Sequence, residues 1–128
     1  MRFIVAGSRH ISWEQAYGEL VKLGRDHLFA QSSEIVSGCA KGPDTAGERY
    51  GDFYDIPVTK FPADWDKYGK RAGPIRNSKM AVYADALVLI WDGSSRGSGH
   101  MKQAMLDLSK PVYEIIIKDE ELWKHEEI

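Results

Sequence analysis

The sequence predicts an α/β fold: one three-layer domain, residues 1–128, around a five-stranded, mostly parallel sheet. Three observations predict it. Short apolar runs rich in β-branched residues alternate with segments whose apolar positions recur at helical spacing. One run, Ala86 to Trp91, is continuously apolar, as expected of a central strand covered on both faces. Three runs end in clusters of glycine, serine and charge, the form of strand-to-helix turns in open parallel sheets.

Phe3 to Ala6 reads as the first strand, ending at Gly7-Ser8. Ser12 suits a helix N-cap, with Gln15 three residues on as in a capping box. Trp13, Ala16, Tyr17, Leu20, Val21 and Leu23 then keep helical spacing, which predicts a helix from Trp13 to about Ala30; Gly18 and Gly24 weaken it. Glu34 to Ser37 is a second strand. Proline suits a first helical turn, so a helix follows from Pro43 to Tyr54. Val58 to Phe61 is a third strand. Ala63 to Gly73 reads as a long charged loop and Asn77 to Ala84 as a short helix. After the strand at Ala86 to Trp91 comes a second glycine- and serine-rich loop, Asp92 to Gly99. His100 to Ser109 is helical, Lys110-Pro111 breaks it, and Val112 to Ile117 is the last strand. The charged tail from Lys118 to Ile128, with Leu122 and Trp123, reads as a short docked helix or a partner contact. The alternation implies a parallel sheet with right-handed crossovers in a Rossmann-like domain.

Composition narrows the class. A chain of 128 residues, 43% hydrophobic and 28% charged, can bury a core without staples. Cys39 is the single cysteine, so no intrachain disulfide forms and a reducing, cytoplasmic setting is expected. No apolar run reaches the roughly 20 residues of a membrane span, so no membrane partner is expected. The formal net charge of -2 argues against a nucleic-acid partner. No His, Cys and Asp cluster has metal spacing, and neither a metal nor a cofactor is expected.

Three strand ends carry residues that cannot serve the core. They are Gly7, Ser8 and Arg9; Ser37, Gly38, Lys41, Gly42 and Asp44; and Asp92, Gly93, Ser94, Gly97, Ser98 and Gly99. Glycine lets a ligand approach the backbone, and the helix that follows offers free N–H groups to an anion. Serine hydroxyls add donors, and Arg9, Lys41 and Arg96 add charge. Glycine turns of this kind also occur where nothing binds, but three on one sheet edge point to a phosphate-bearing ligand. No loop matches G-x-x-x-x-G-K-[ST] or a full G-x-G-x-x-G, which sets aside P-loop and ordinary dinucleotide enzymes. Arg76 and Asn77 lie before the apolar positions of a short helix. Arginine there suits phosphate or carboxylate capture, or simple solvation at a helix end. Trp65, Tyr68 and Trp91 could stack on a base; Trp91, ending a buried strand, reads rather as core. His100 reads as a helix-end hydrogen-bonding residue or a base. Cys39 has no apparent partner base.

These residues fall in order along the chain: Gly7-Ser8-Arg9, Ser37-Gly38 with Gly42 and Asp44, Pro62-Ala63-Asp64-Trp65, Ala72-Gly73-Pro74-Ile75-Arg76-Asn77, and Trp91-Asp92-Gly93 with Gly97-Ser98. Together they resemble the YspA, or cpYpsA-related, branch of the SLOG superfamily over Arg2 to Val112. The resemblance implies a Rossmann-like domain that binds a nucleotide or a nucleotide derivative, such as an ADP-ribose- or NAD-like molecule, to sense or sequester it. It also implies a homodimer or higher homo-oligomer. The stretch from Arg76 through Met80 to Ser98 is similar to the cytokinin-activating (LOG) phosphoribohydrolases, in which an arginine and a glutamate act on an N-glycosidic bond. Arg76 matches the arginine, but His100 stands where the glutamate belongs. The alternative reading is therefore a nucleotide hydrolase cleaving an N-glycosidic or phosphoester bond. Arg76 would hold phosphate there, and Asp92, Asp44 or His100 would move protons. The Gly7-Ser8-Arg9 and Ser37-Gly38 motifs are also similar to those of the DNA-processing protein A domain, which leaves single-stranded nucleic acid as a third reading.

Overall fold

Each strand alternates its side chains between two apolar layers, and that alternation fixes the architecture. The computed structural model describes residues 1–26, 28–29 and 34–123. The strands are β1 (Arg2–Gly7), β2 (Glu34–Ser37), β3 (Val58–Lys60), β4 (Ala86–Trp91) and β5 (Val112–Ile116). The helices are α1 (Trp13–Arg25), α2 (Pro43–Phe53), the single-turn α3 (Trp65–Tyr68), α4 (Ala72–Tyr83) and α5 (Arg96–Asp107). Phe3 and Val5 of β1, with Val88 and Ile90 of β4, face Ala16, Leu20, Ala46 and Tyr50 of α1 and α2. Ile4, Ala6, Leu87 and Leu89 face the other way, onto Met80, Ala81, Met101 and Met105 of α4 and α5. The result is the three-layer α/β domain the sequence predicts, and all six residues of β4 are buried.

The sheet order is β3-β2-β1-β4-β5, and every pairing is parallel, where the sequence reading allowed a mixed sheet. The chain moves outward from β1 through β2 to β3, then crosses to β1's other side for β4. The crossovers on either side of that reversal leave opposite faces of the sheet, so a crevice opens between the carboxyl ends of β1 and β4. Gly7 marks its floor. It pairs with Ile90, and a Cβ built on it would lie 1.7 Å from the Ile90 carbonyl oxygen.

Several boundaries differ from the sequence reading, each for a local reason. Helix α1 ends at Arg25 rather than near Ala30, which lies outside the described residues. Beyond it Phe29 turns inward, edge-on to Phe3. The loop expected from Ala63 to Gly73 is mostly helical. The Asp64 carboxylate accepts from the Lys67 N–H (3.1 Å) and starts α3, and a 3-10 turn over Gly69–Arg71 leads into α4. Helix α4 begins at Ala72, five residues before the expected start at Asn77, because Pro74 sits in its first turn, where no intrahelical N–H bond is lost. Helix α5 begins at Arg96 rather than His100, so Gly97, Ser98 and Gly99 belong to its first turn. The tail docks as far as Trp123: Gln15 Nε2 donates to the Glu121 carbonyl (2.9 Å), and the Trp123 N–H donates to Gln15 Oε1 (3.0 Å). The rest of the expected tail, 124–128, lies outside the described residues. Among the described residues no helix is long and apolar enough to cross a membrane.

Candidate functional site

The crevice is a cleft of about 390 Å³. Gly7, Ser8, Arg9 and His10 enter it from the end of β1. Asp44 comes from α2, Arg76 and Asn77 from α4, and Ser95, Gly97 and Ser98 from the start of α5. Residues from three separate strand ends thus meet in one place, as the sequence pattern implied. A second lobe of about 610 Å³ adjoins it and shares Arg9, His10, Ala40 and Arg76 as its wall. Gly38, Lys41 and Trp65 lie in that lobe.

Short-range geometry holds the cleft open. Gly42, with φ of 77°, carries the chain against the Ser8–Ile11 turn, and a Cβ on it would lie 2.5 Å from the Ile11 carbonyl oxygen. That close approach and that backbone angle both require glycine. The Asp92 carboxylate ties the β4–α5 loop together. Its Oδ1 accepts from the Ser94 N–H (2.9 Å), the Ser95 N–H (2.8 Å) and the Ser95 hydroxyl (2.8 Å). The Asp92 N–H donates to Ser8 Oγ (3.1 Å), and Ser8 Oγ lies 2.8 Å from Ser95 Oγ, so the loops after β1 and β4 are joined. The loop N–H and hydroxyl bonds hold the Asp92 carboxyl well below the usual carboxylate range. It is a poor proton carrier and a good loop anchor.

Helix hydrogen bonding in α5 begins with the Gly99 N–H, which donates to the Ser95 carbonyl (2.9 Å). The N–H groups before it have no partner one turn back, and Gly97 and Ser98 put them at the cleft. A Cβ on Gly97 would meet nothing within 4 Å, since it would project into open space.

Arg76 is the central cation. Its guanidinium donates to the Gly38 carbonyl and, through Nε, to Asn77 Oδ1 (2.9 Å). Asn77 in turn donates to the Gly97 carbonyl (3.3 Å), tying α4 to α5. Burial lowers the Arg76 pKa, the neighbouring Asp44 opposes that, and the like charge of Arg9 lowers it again. Among the described residues no carboxylate forms a salt bridge with Arg9 or Arg76. Asp44 is 4% exposed. Burial pushes its carboxyl up to about 6, against the Ala40 N–H (3.2 Å to Oδ2), the Arg76 charge and the Gly38 N–H.

The remaining candidates from the sequence lie apart from the cleft. Ser37 is fully buried, and its hydroxyl donates to Glu48 (2.6 Å). Gly93 and Ser94 belong to the turn that Asp92 closes, with Gly93 (φ 87°) beside Ile116. Gly99 packs over Trp91, which is core and donates to Glu114 (2.7 Å). His100 lines a separate groove between α4 and α5, although its Nδ1 lies 3.4 Å from Asn77 Nδ2. Residues the sequence reading passed over also line the cleft: His10, Ala40, Ser95, Met80 and Met101. His10 directly continues Gly7-Ser8-Arg9, a signal that was available; the two methionines read as ordinary core positions. Among the described residues no group of three His, Cys, Asp or Glu could hold a metal ion. A scan against protein-family models, a search of curated proteins and a search of solved structures each found no significant match.

Proposed function

We propose that the chain is a binding module for a nucleotide or nucleotide-derived phosphate ligand, which it senses or sequesters, as the resemblance to the SLOG superfamily implies. The observation that carries the reading is the pair Arg9 and Arg76. Two guanidiniums line one cleft, one of them partly buried, and among the described residues no carboxylate lies at salt-bridge distance from either, although the nearby Asp44 favours the charged form of Arg76 more than Arg9 disfavours it. An anion between them supplies the opposite charge that neither has at contact distance, and guanidinium suits bidentate capture of phosphate. The free N–H groups of the first α5 turn approach the same anion from the other wall. A thermal-shift titration with AMP, ADP-ribose and ribose 5-phosphate tests it. A ligand at about 100 times its dissociation constant adds roughly 2.7 kcal/mol. No shift with any of the three contradicts the proposal.

Asp44 favours a second reading, hydrolysis of the bound nucleotide. It is a buried carboxyl with a pKa near 6 in the cleft wall, suited to proton transfer near neutral pH. Chromatography of the titration mixtures separates the two. Intact ligand supports a binding module, while free base or released phosphate supports the hydrolase. The homo-oligomer that the resemblance implies has surface to use: Phe53 and Tyr54 on one helical layer and Val82, Leu106 and Leu108 on the other are exposed. Light scattering of the purified chain reads its mass directly.

A further inference from the structure

The second lobe has a character unlike the cleft it adjoins. Its lining includes Pro62, Ala63, Cys39 and the indole of Trp65, with cations at its inner wall. Trp65 is 50% exposed, an uncommon setting for so large an apolar ring. Among the described residues it has no aromatic neighbour and no cation over its face, although Trp13, Trp91, Tyr50 and Tyr83 all have one or the other. Asp64 caps the turn that carries it, and its ring edge reaches Gly73, where a built Cβ would lie 3.4 Å away, in van der Waals contact. A half-exposed indole lining a lobe that also holds Arg9, Lys41 and Arg76 is a stacking platform beside cations.

We infer that this lobe takes the heterocyclic base of a nucleoside 5′-phosphate, stacked on Trp65, while Arg9 and Arg76 hold the phosphate on the shared wall. The inference rests on the phosphate reading above and adds the part of the ligand that reading leaves open. The lobe's volume of about 610 Å³ accommodates a purine with its ribose. Recognition by stacking is tolerant of base identity and follows ring area, so purine nucleotides bind more tightly than pyrimidine nucleotides, and both more tightly than the sugar phosphate alone.

The test is calorimetric titration of AMP, UMP and ribose 5-phosphate into the wild-type chain and into Trp65→Ala, Trp65→Phe and Arg76→Ala. Wild type is expected to bind AMP roughly 5- to 100-fold more tightly than ribose 5-phosphate, with UMP between them. Trp65→Ala is expected to bring AMP down to the affinity of ribose 5-phosphate and leave the latter unchanged. Trp65→Phe, which keeps a stackable ring, retains most of the preference, and Arg76→Ala weakens all three ligands. AMP and ribose 5-phosphate binding alike in wild type overturns the stacking lobe and leaves the phosphate site standing. So does equal loss of both ligands in Trp65→Ala. If none of the three ligands binds wild type, the phosphate reading itself falls and the lobe falls with it.

Discussion

At the scale of single residues, the cleft is a balance between two arginines and one buried carboxyl. Arg76→Ala is expected to weaken phosphate binding by more than about 1 kcal/mol in calorimetry, because a charge-assisted contact is lost. Asp44 sets a pH dependence whose sign follows from its raised pKa. Its folded value of about 6 lies above the ordinary 3.8, so between them the folded state holds a proton that the unfolded chain has released. Its contribution to stability is present below about pH 4 and is lost as pH rises through about 6. At roughly 1.4 kcal/mol per unit, that difference reaches up to about 3 kcal/mol. Asp44→Asn is expected to flatten this part of the profile in urea titrations at several pH values; an unchanged profile assigns the dependence to other groups. Much of this level was legible in the sequence, since Arg9, Arg76 and Asp44 all stand at predicted strand ends or helix starts. What the sequence could not show was direction. Asp92 looks like a catalyst in a loop, and three short hydrogen bonds make it the loop's anchor instead.

At the scale of elements, strands and the starts of α1 and α2 were readable, and the starts of α4 and α5 were not. Apolar runs defined β2 and β4 to the residue, because burial on both faces demands them. The starts of α4 and α5 were obscured by Pro74 and by Gly97 and Gly99, residues that usually end helices but are tolerated in a first turn. The two glycines that frame the cleft make opposite predictions. Gly7→Ala puts a Cβ into the Ile90 carbonyl, so a loss of more than about 4 kcal/mol, read as failure to fold or a collapsed melting temperature, is expected. Gly97→Val places its side chain in open space and loses nothing in helix propensity, so stability is expected to change by less than about 1 kcal/mol while phosphate binding is blocked. The docked tail is a third case. Ending the chain after Lys118 removes the two bonds to Gln15 and takes Leu122 away from the core layer that includes Ala16 and Leu20. A loss of about 2 kcal/mol in chemical denaturation is expected, with ligand affinity unchanged.

At the scale of the whole molecule, the order β3-β2-β1-β4-β5 explains why residues distant in sequence meet. The β1 turn, the second turn of α4 and the first turn of α5 converge because β4 returns to the free side of β1. The alternation of elements implied an open parallel sheet, and hence a crevice at its carboxyl edge. The strand order, which decides which loops share that crevice, is a property of long-range pairing that local patterns do not encode. The most direct measurement is amide chemical-shift mapping of the isotope-labelled chain as AMP is added. Gly7 to His10, Arg76, Gly97 and Ser98 are expected to move together with one affinity, and Arg76→Ala is expected to move the response to higher AMP concentration. Shifts confined to the α1 and α2 layer, or no shifts at all, would contradict the proposed site.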